Sequence, residues 1–367
     1  MASRYEGRSD IEGRKVSRRA LVGGAVAFGA SAPFAIGAAN AFTRSPAPLS
    51  DLIDSAICRT AGEATGLSGP PRKLTLAWNA SAICTSSAPV AKERGFFAKN
   101  NLDVEFINFG GSTEQLLEAI ATGKADAGIG MALRWIKPLE QGFDVRITAG
   151  IHGGCLRLLG SKAAKIDSLE SLRGKTIAIS DQSSPAKNFF SLVLAKHGID
   201  PEREIDWRQY PIDLLALAVD KGEAHAAADN DPRTFLWLKE GKLNELATNL
   251  SGEYADRACC VLAVRGSLIR DDRAVAAALT RSILDAGHVV AHDPADAAAV
   301  FSGYGGKGSV EDLTAMLRSH THGNQKTGAD LKKQIALYVD ELKLVKVVKP
   351  STDAAKFADR VYADVLT

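Results

Sequence analysis

The chain has 367 residues, 46% of them hydrophobic and 24% charged, which is enough for two domains of ordinary size with real cores. Its 45 basic and 43 acidic residues leave a net charge of +2. No global field therefore recruits nucleic acid or a membrane surface, and a charged ligand must be met by local groups.

Residues 1–41 read as an export leader. Lys15-Val16-Ser17-Arg18-Arg19 precedes an uncharged run over 20–41 that is rich in Gly and Ala and ends Ala39-Asn40-Ala41. The paired arginines resemble a twin-arginine signal, and the small residues fit cleavage near Ala41. A retained anchor is the alternative, since the run is long enough to span a bilayer. Residues 42–72 carry Pro46, Pro48, Pro70 and Pro71 and read as a linker.

Order begins at Lys73, where KLTLAW alternates as a strand should. A helix with the pair Phe96-Phe97 is expected over 90–99, then a strand over 102–109. The turn Gly110-Gly111 opens a helix at Ser112-Thr113 that ends at Gly123. A buried strand over 125–130, a helix over 133–141 and a strand over 145–149 follow. The pattern then restarts: a short helix at 168–172, a strand at 175–180, and a helix from Ser183-Ser184-Pro185 to about 197. A strand at 205–210, a helix at 213–221 and a strand at 224–228 lead to Asp229-Asn230-Asp231-Pro232. Both blocks run strand, helix, strand, helix, strand, so two similar α/β lobes around a cleft are the simplest reading. After Cys260 the chain turns helical over 271–292, 294–304, 310–317, 328–342 and 352–366.

Strand ends and helix starts should face that cleft, where free backbone N–H groups favour oxyanions. Gly111, Ser112 and Thr113 form one candidate jaw; Ser183 and Ser184 form the other. Plain N-capping is the competing account of these hydroxyls. Asn79 and the loop to Cys84 end the first strand, while Trp78 reads as core. Met131 follows a buried strand and is expected to line the site. Arg134 either pairs with an anionic head or lies on a helix surface. His152 is expected to be hydrogen-bonded and structural. Beside it, Gly154 and Cys155 lie where the chain crosses between lobes, with glycine allowing a hinge and close ligand approach. Arg157 is a weaker anion candidate. Asp229 and Asn230 end a strand of the second lobe; an ionised Asp229 would accept from an amine and oppose a simple anion.

Five cysteines, Cys58, Cys84, Cys155, Cys259 and Cys260, leave at least one unpaired in a monomer. None has zinc-motif spacing, and no metal ligand, cofactor or catalytic residue is expected. The vicinal pair Cys259-Cys260 reads as buried structural thiols on opposite faces of a strand.

The run Pro89-Val90-Ala91-Lys92-Glu93-Arg94-Gly95-Phe96-Phe97, then Asn101-Leu102-Asp103-Val104, Gly110-Gly111-Ser112, Gly123-Lys124-Ala125-Asp126-Ala127-Gly128 and Leu172-Arg173-Gly174-Lys175-Thr176-Ile177-Ala178, resembles a family. It is the periplasmic substrate-binding proteins of ABC importers for nitrate, sulfonates, taurine and thiamine precursors. The resemblance covers residues 73–367. It implies an α/β, two-lobe periplasmic-binding-protein fold (type II), with two crossing strands and the C-terminal helices packed on lobe 1. Lobe 1 would comprise 73–158 and 262–367, and lobe 2 would comprise 159–261. The usual acidic residue after the second-lobe glycine is His225 here, expected to be structural. The implied function is an exported, monomeric receptor closing on a small anion or zwitterion and docking on an inner-membrane ABC permease, with no nucleic acid partner. The alternatives are an enzyme on the same scaffold acting on a pyrimidine-type substrate, and a ligand-sensing subunit of a signalling system. No G-x-S-x-G or nucleotide-phosphate loop supports an enzyme.

Overall fold

A computed structural model describes residues 67–367. The leader with its cleavage point, Cys58 and most of the linker lie outside the described residues.

Among the described residues, ten strands form two sheets. They are β1 (Arg72–Trp78), β2 (Leu102–Asn108), β3 (Ala127–Met131), β4 (Val145–His152), β5 (Leu156–Ser161), β6 (Lys175–Ile179), β7 (Ile205–Gln209), β8 (Ala226–Asn230), β9 (Leu243–Thr248) and β10 (Cys260–Arg265). The first sheet has the order β2-β1-β3-β10-β4 and the second β7-β6-β8-β5-β9. Within each sheet β1, β2 and β3, or β6, β7 and β8, run parallel. Each sheet then takes one strand running the other way, β10 in the first and β5 in the second. This is the two-lobe architecture anticipated from the sequence.

The chain passes between sheets twice, at residues 153–155 and at residues 249–259. The boundaries drawn at 158 and 261 instead fall inside β5 and β10. Leu156 to Leu159 and Cys260 to Val264 are unbroken buried runs, and such runs carry no mark of where a sheet begins.

The single helix expected over 90–99 is two pieces, Ser87–Glu93 and Phe96–Lys99, divided at Gly95 with φ +71°. Helix Arg233–Lys239 and β9 were not anticipated. The sequence of β9, LNELAT, buries fully only its first residue, so it lacks the alternation that marks a half-buried strand.

A continuous apolar core runs through both lobes, with Trp135, Phe189, Phe190 and Phe301 fully enclosed. Trp78 belongs to it, tilted against Phe106 and edge-on to Tyr304. The C-terminal helices pack on the first lobe, with Arg273–His292 against Ser87–Glu93 and β4. They also reach the second lobe. Helix Gly328–Leu344 touches both Ala132–Glu140 and Pro185–Lys196, and its Glu341 accepts from Lys196 at 2.8 Å.

Candidate functional site

The two expected jaws do meet. Gly111, Ser112 and Thr113 share a cavity of about 310 Å³ with Asp181, Ser183 and Ile212. Gly111 has φ +87°, and a Cβ there would stand 3.3 Å from the Asn79 amide nitrogen and 3.5 Å from Ile212 of the opposite lobe. The left-handed φ is what calls for glycine here.

The jaw hydroxyls, however, are engaged by their own helices. Ser112 Oγ accepts from Gln115 N at 3.3 Å, and Ser184 Oγ accepts from Lys187 N at 3.2 Å. Ser183 donates from both its N and its Oγ to Asp181 Oδ1, at 2.9 and 2.8 Å. Asn79 is buried, and its Oδ1 accepts from Ser81 N and Ser81 Oγ. These groups are satisfied as helix caps and turns.

Beside it, a solvent-open cavity of about 550 Å³ is lined by Thr113, Leu133, Arg134, Lys137, Ser183 and Asn188, with exposed Gln141 and Lys346 at its edge. Arg134 is not a helix-surface residue; it is only 5% exposed. Its Nη1 donates to the Thr113 hydroxyl, while Nε has no partner. Burial pulls its pKa down to about 10, partly opposed by the acidic groups of Asp181, Cys260, Cys84 and Asp229. Met131, 6% exposed, immediately precedes this helix.

The second-lobe acids are not free. Asp229 is 3% exposed and accepts from Arg233 Nε at 2.5 Å and Nη2 at 3.1 Å. Asn230 donates to the Asp231 carbonyl at 2.8 Å, and its Oδ1 accepts from Arg233. The acceptor for an amine expected at Asp229 is therefore already filled by a guanidinium, and Arg233 continues across the cleft to donate to Ser81 Oγ at 3.2 Å. Arg157 is no anion anchor either, since it is held by Asp231 and Glu245. Asp231 also faces His320 Nε2 at 2.8 Å. Burial raises the Asp231 pKa, but His320 and Arg157 outweigh it and hold the carboxyl below its usual range. His225 is structural as expected, with Thr176 N donating to its Nδ1.

Gly154 is occupied by protein, not open to ligand: a Cβ there would come within 2.1 Å of the Asn249 carbonyl oxygen on the other crossing segment. The two crossings thus pack backbone to backbone. Asn249 Oδ1 accepts from Cys155 N at 2.8 Å and Leu156 N at 2.7 Å.

The thiols at this junction are buried, as expected, but they are brought together in space despite lacking a zinc-motif spacing. Cys84, His152, Cys155 and Cys260 converge, with one donor atom from each within 4.8 Å of the others, and all four are buried. A linear spacing test misses them because they arrive from three separate segments: the turn at Cys84, the crossing from His152 to Cys155, and the start of β10 at Cys260. Cys259 does not turn away; its Sγ lies 3.8 Å from Cys155 Sγ. The Cys155 and Cys260 thiols pull the Cys84 pKa well below the usual range, against burial. Burial pushes Cys260 well above it. Among the described residues neither ring nitrogen of His152 has a hydrogen-bond partner, contrary to expectation, and the ring stacks on His322 at 4.6 Å. Burial drives His322 well below its ordinary pKa, so it is neutral. Arg233 was not singled out from sequence, and His320 and His322 read there only as a late polar turn with no assigned role.

Known proteins share this architecture. The alkanesulfonate-binding protein SsuA of Xanthomonas axonopodis pv. citri, solved with MOPS, aligns with a TM-score of 0.65 and 18% identity, over 79% of this chain and 99% of that one. The periplasmic nitrate-binding protein NrtA of Synechocystis PCC 6803 gives 0.68 and 14% identity, over 81% and 87%. The periplasmic aliphatic sulphonate-binding protein SsuA of Escherichia coli gives 0.64 and 16% identity, over 80% and 92%. These likenesses establish the periplasmic-binding-protein fold. No curated protein matches the chain in sequence. A family model described as "NMT1/THI5 like" matches residues 86–297. Since that match spans more than half of the 367 residues, the chain belongs to the NMT1/THI5-like family.

Proposed function

We propose that this protein is an exported solute receptor of an ABC importer, closing its lobes on a small anion or on the anionic head of a small organic molecule. The carrying observation is Arg134. It is a buried guanidinium on the cleft wall whose only side-chain hydrogen bond, among the described residues, goes to a neutral hydroxyl. A buried charge without a counter-charge costs several kcal/mol. An oxyanion entering the 550 Å³ cavity would supply both the charge and the missing acceptors.

Asp229 does not oppose such a ligand, because Arg233 already neutralises it. The proteins compared above are named for alkanesulfonate, aliphatic sulphonate and nitrate, all small oxyanions, and the same class is proposed here. The lobes already touch through Arg233 and Ser81 and through Asp231 and His320. Ligand bridging Arg134 to the second lobe would favour that closed arrangement by its differential contacts. The reading makes the chain a periplasmic monomer that presents its closed surface to an inner-membrane permease, and it requires no conversion of the ligand.

The test is a thermal-shift panel on the full chain with alkanesulfonates, taurine, nitrate, bicarbonate, carboxylates and neutral pyrimidines, followed by small-angle scattering. At least one anion should raise the unfolding temperature and compact the molecule. Stabilisation by a neutral pyrimidine alone, with every anion inert, would contradict the proposal.

A further inference from the structure

We propose that Cys84, His152, Cys155 and Cys260 form a binding site for one thiophilic divalent cation of the zinc class, set where the two lobes join. The proposal does not rest on the anion reading, which concerns Arg134 and the neighbouring cavity.

The donors are carried by fixed elements. Cys84 sits in the turn Ile83–Thr85, His152 ends β4, Cys155 directly precedes β5 and Cys260 begins β10. Strand register sets Cys260 directly opposite His152. The four donor atoms lie within 4.8 Å of one another. In a tetrahedral site with metal–sulfur bonds of about 2.3 Å the donors stand about 3.8 Å apart. Closing the cluster on an ion thus needs side-chain movements of about 1 Å or less.

Chemistry supports the same assignment. Three thiols and one imidazole are a zinc donor set. All four side chains are at most 2% exposed, so nothing but the ion would compete for them. Independently, His152 has both ring nitrogens buried and unpartnered, a costly state for an imidazole, and coordination satisfies one of them. Binding is balanced by release of protons: each Sγ–metal bond replaces an S–H bond, whose proton passes to solvent.

Asn249 is the positioning residue. Its Oδ1 holds the Cys155 backbone, and its Nδ2 donates to Cys259 Sγ at 3.3 Å. Cys259 is thereby engaged beside the cluster and lies outside the donor set. Because Cys155 begins the second lobe and the other donors belong to the first, the bound ion ties the lobes together at their crossing.

The experiment titrates the reduced, metal-free full chain with Co²⁺ and then Zn²⁺. One equivalent of Co²⁺ should produce thiolate-to-metal absorption in the near ultraviolet and intense tetrahedral bands in the visible, both erased by Zn²⁺. A hundredfold excess of Zn²⁺ over Kd should raise the unfolding temperature by about 5 °C. Cys84→Ser and Cys260→Ser should each weaken Co²⁺ binding at least about 100-fold, while Cys259→Ser keeps the stoichiometry and spectrum. A wild-type protein with no thiolate band overturns the proposal without recourse to any variant. So does a weak octahedral spectrum, or a chain that keeps Cys155 in a disulfide with Cys259 and takes up no ion. Loss of the site in Cys259→Ser with retention in Cys260→Ser would overturn the donor set.

Discussion

The helix starts at the rim of the cleft and the charged or ionisable side chains buried behind them differ in how their polar groups are satisfied. At the rim, Ser112 and Ser184 cap their own helices and Ser183 is held by Asp181. Behind them, Arg134 Nε and both nitrogens of His152 are buried with no partner among the described residues. Folded proteins satisfy nearly all buried polar groups, so orphaned ones mark places that await something else. The rim hydroxyls look like ligand groups in sequence and are satisfied within the protein; the groups behind them lack partners among the described residues.

That contrast can be broken in several ways. The largest expected effect is at a pair that is already complete. Asp229→Ala leaves Arg233 buried without its carboxylate and should cost about 3–5 kcal/mol in denaturant unfolding. A loss below about 0.5 kcal/mol would show that the pair does not form. Arg134→Met should do the opposite. It should leave stability unchanged or higher, because it removes a charge that has no counter-charge, while weakening anion binding at least about 30-fold. A destabilised variant with intact affinity would make Arg134 a structural residue.

The Asp231 network gives a pH test. Its carboxyl is depressed in the folded state, so its contribution is present above the unfolded carboxyl pKa of about 4 and is lost as pH falls. Wild-type stability should decline below about pH 4, with Asp231 contributing up to about 1.4 kcal/mol per pH unit. Asp231→Asn should have the flatter acid limb; an identical slope would remove Asp231 from the account. The smallest effects belong to the rim. Ser112→Ala and Ser184→Ala should each cost about 1 kcal/mol of stability as lost caps and leave anion affinity within about threefold. A larger loss of affinity would move the site to the rim.

Much of the frame was legible in the sequence. The restart at Lys175 exposed the second lobe because glycine turns and apolar periodicity are local signals. Ser112 and Ser184 were recognisable as helix starts for the same reason. The thiol cluster was not legible, because its members meet through long-range contacts. Cys155 and Cys259 lie 104 residues apart and meet only through the second crossing. The Asp229–Arg233 pair is local, four residues apart, but it spans a strand end and a helix start, so helical periodicity does not reveal it. Arg134 reads equally as surface or interior, and only the packing of its helix against the second lobe decides.

The most direct measurement is a crystal structure of the full chain with the tightest anion from the ligand panel. The account predicts the anion's oxygens bonded to the Arg134 guanidinium, with Nε satisfied and second-lobe groups closing over it. An anion seated on the backbone N–H groups of Gly111 and Ser112, with Arg134 still bonded only to Thr113, would contradict it.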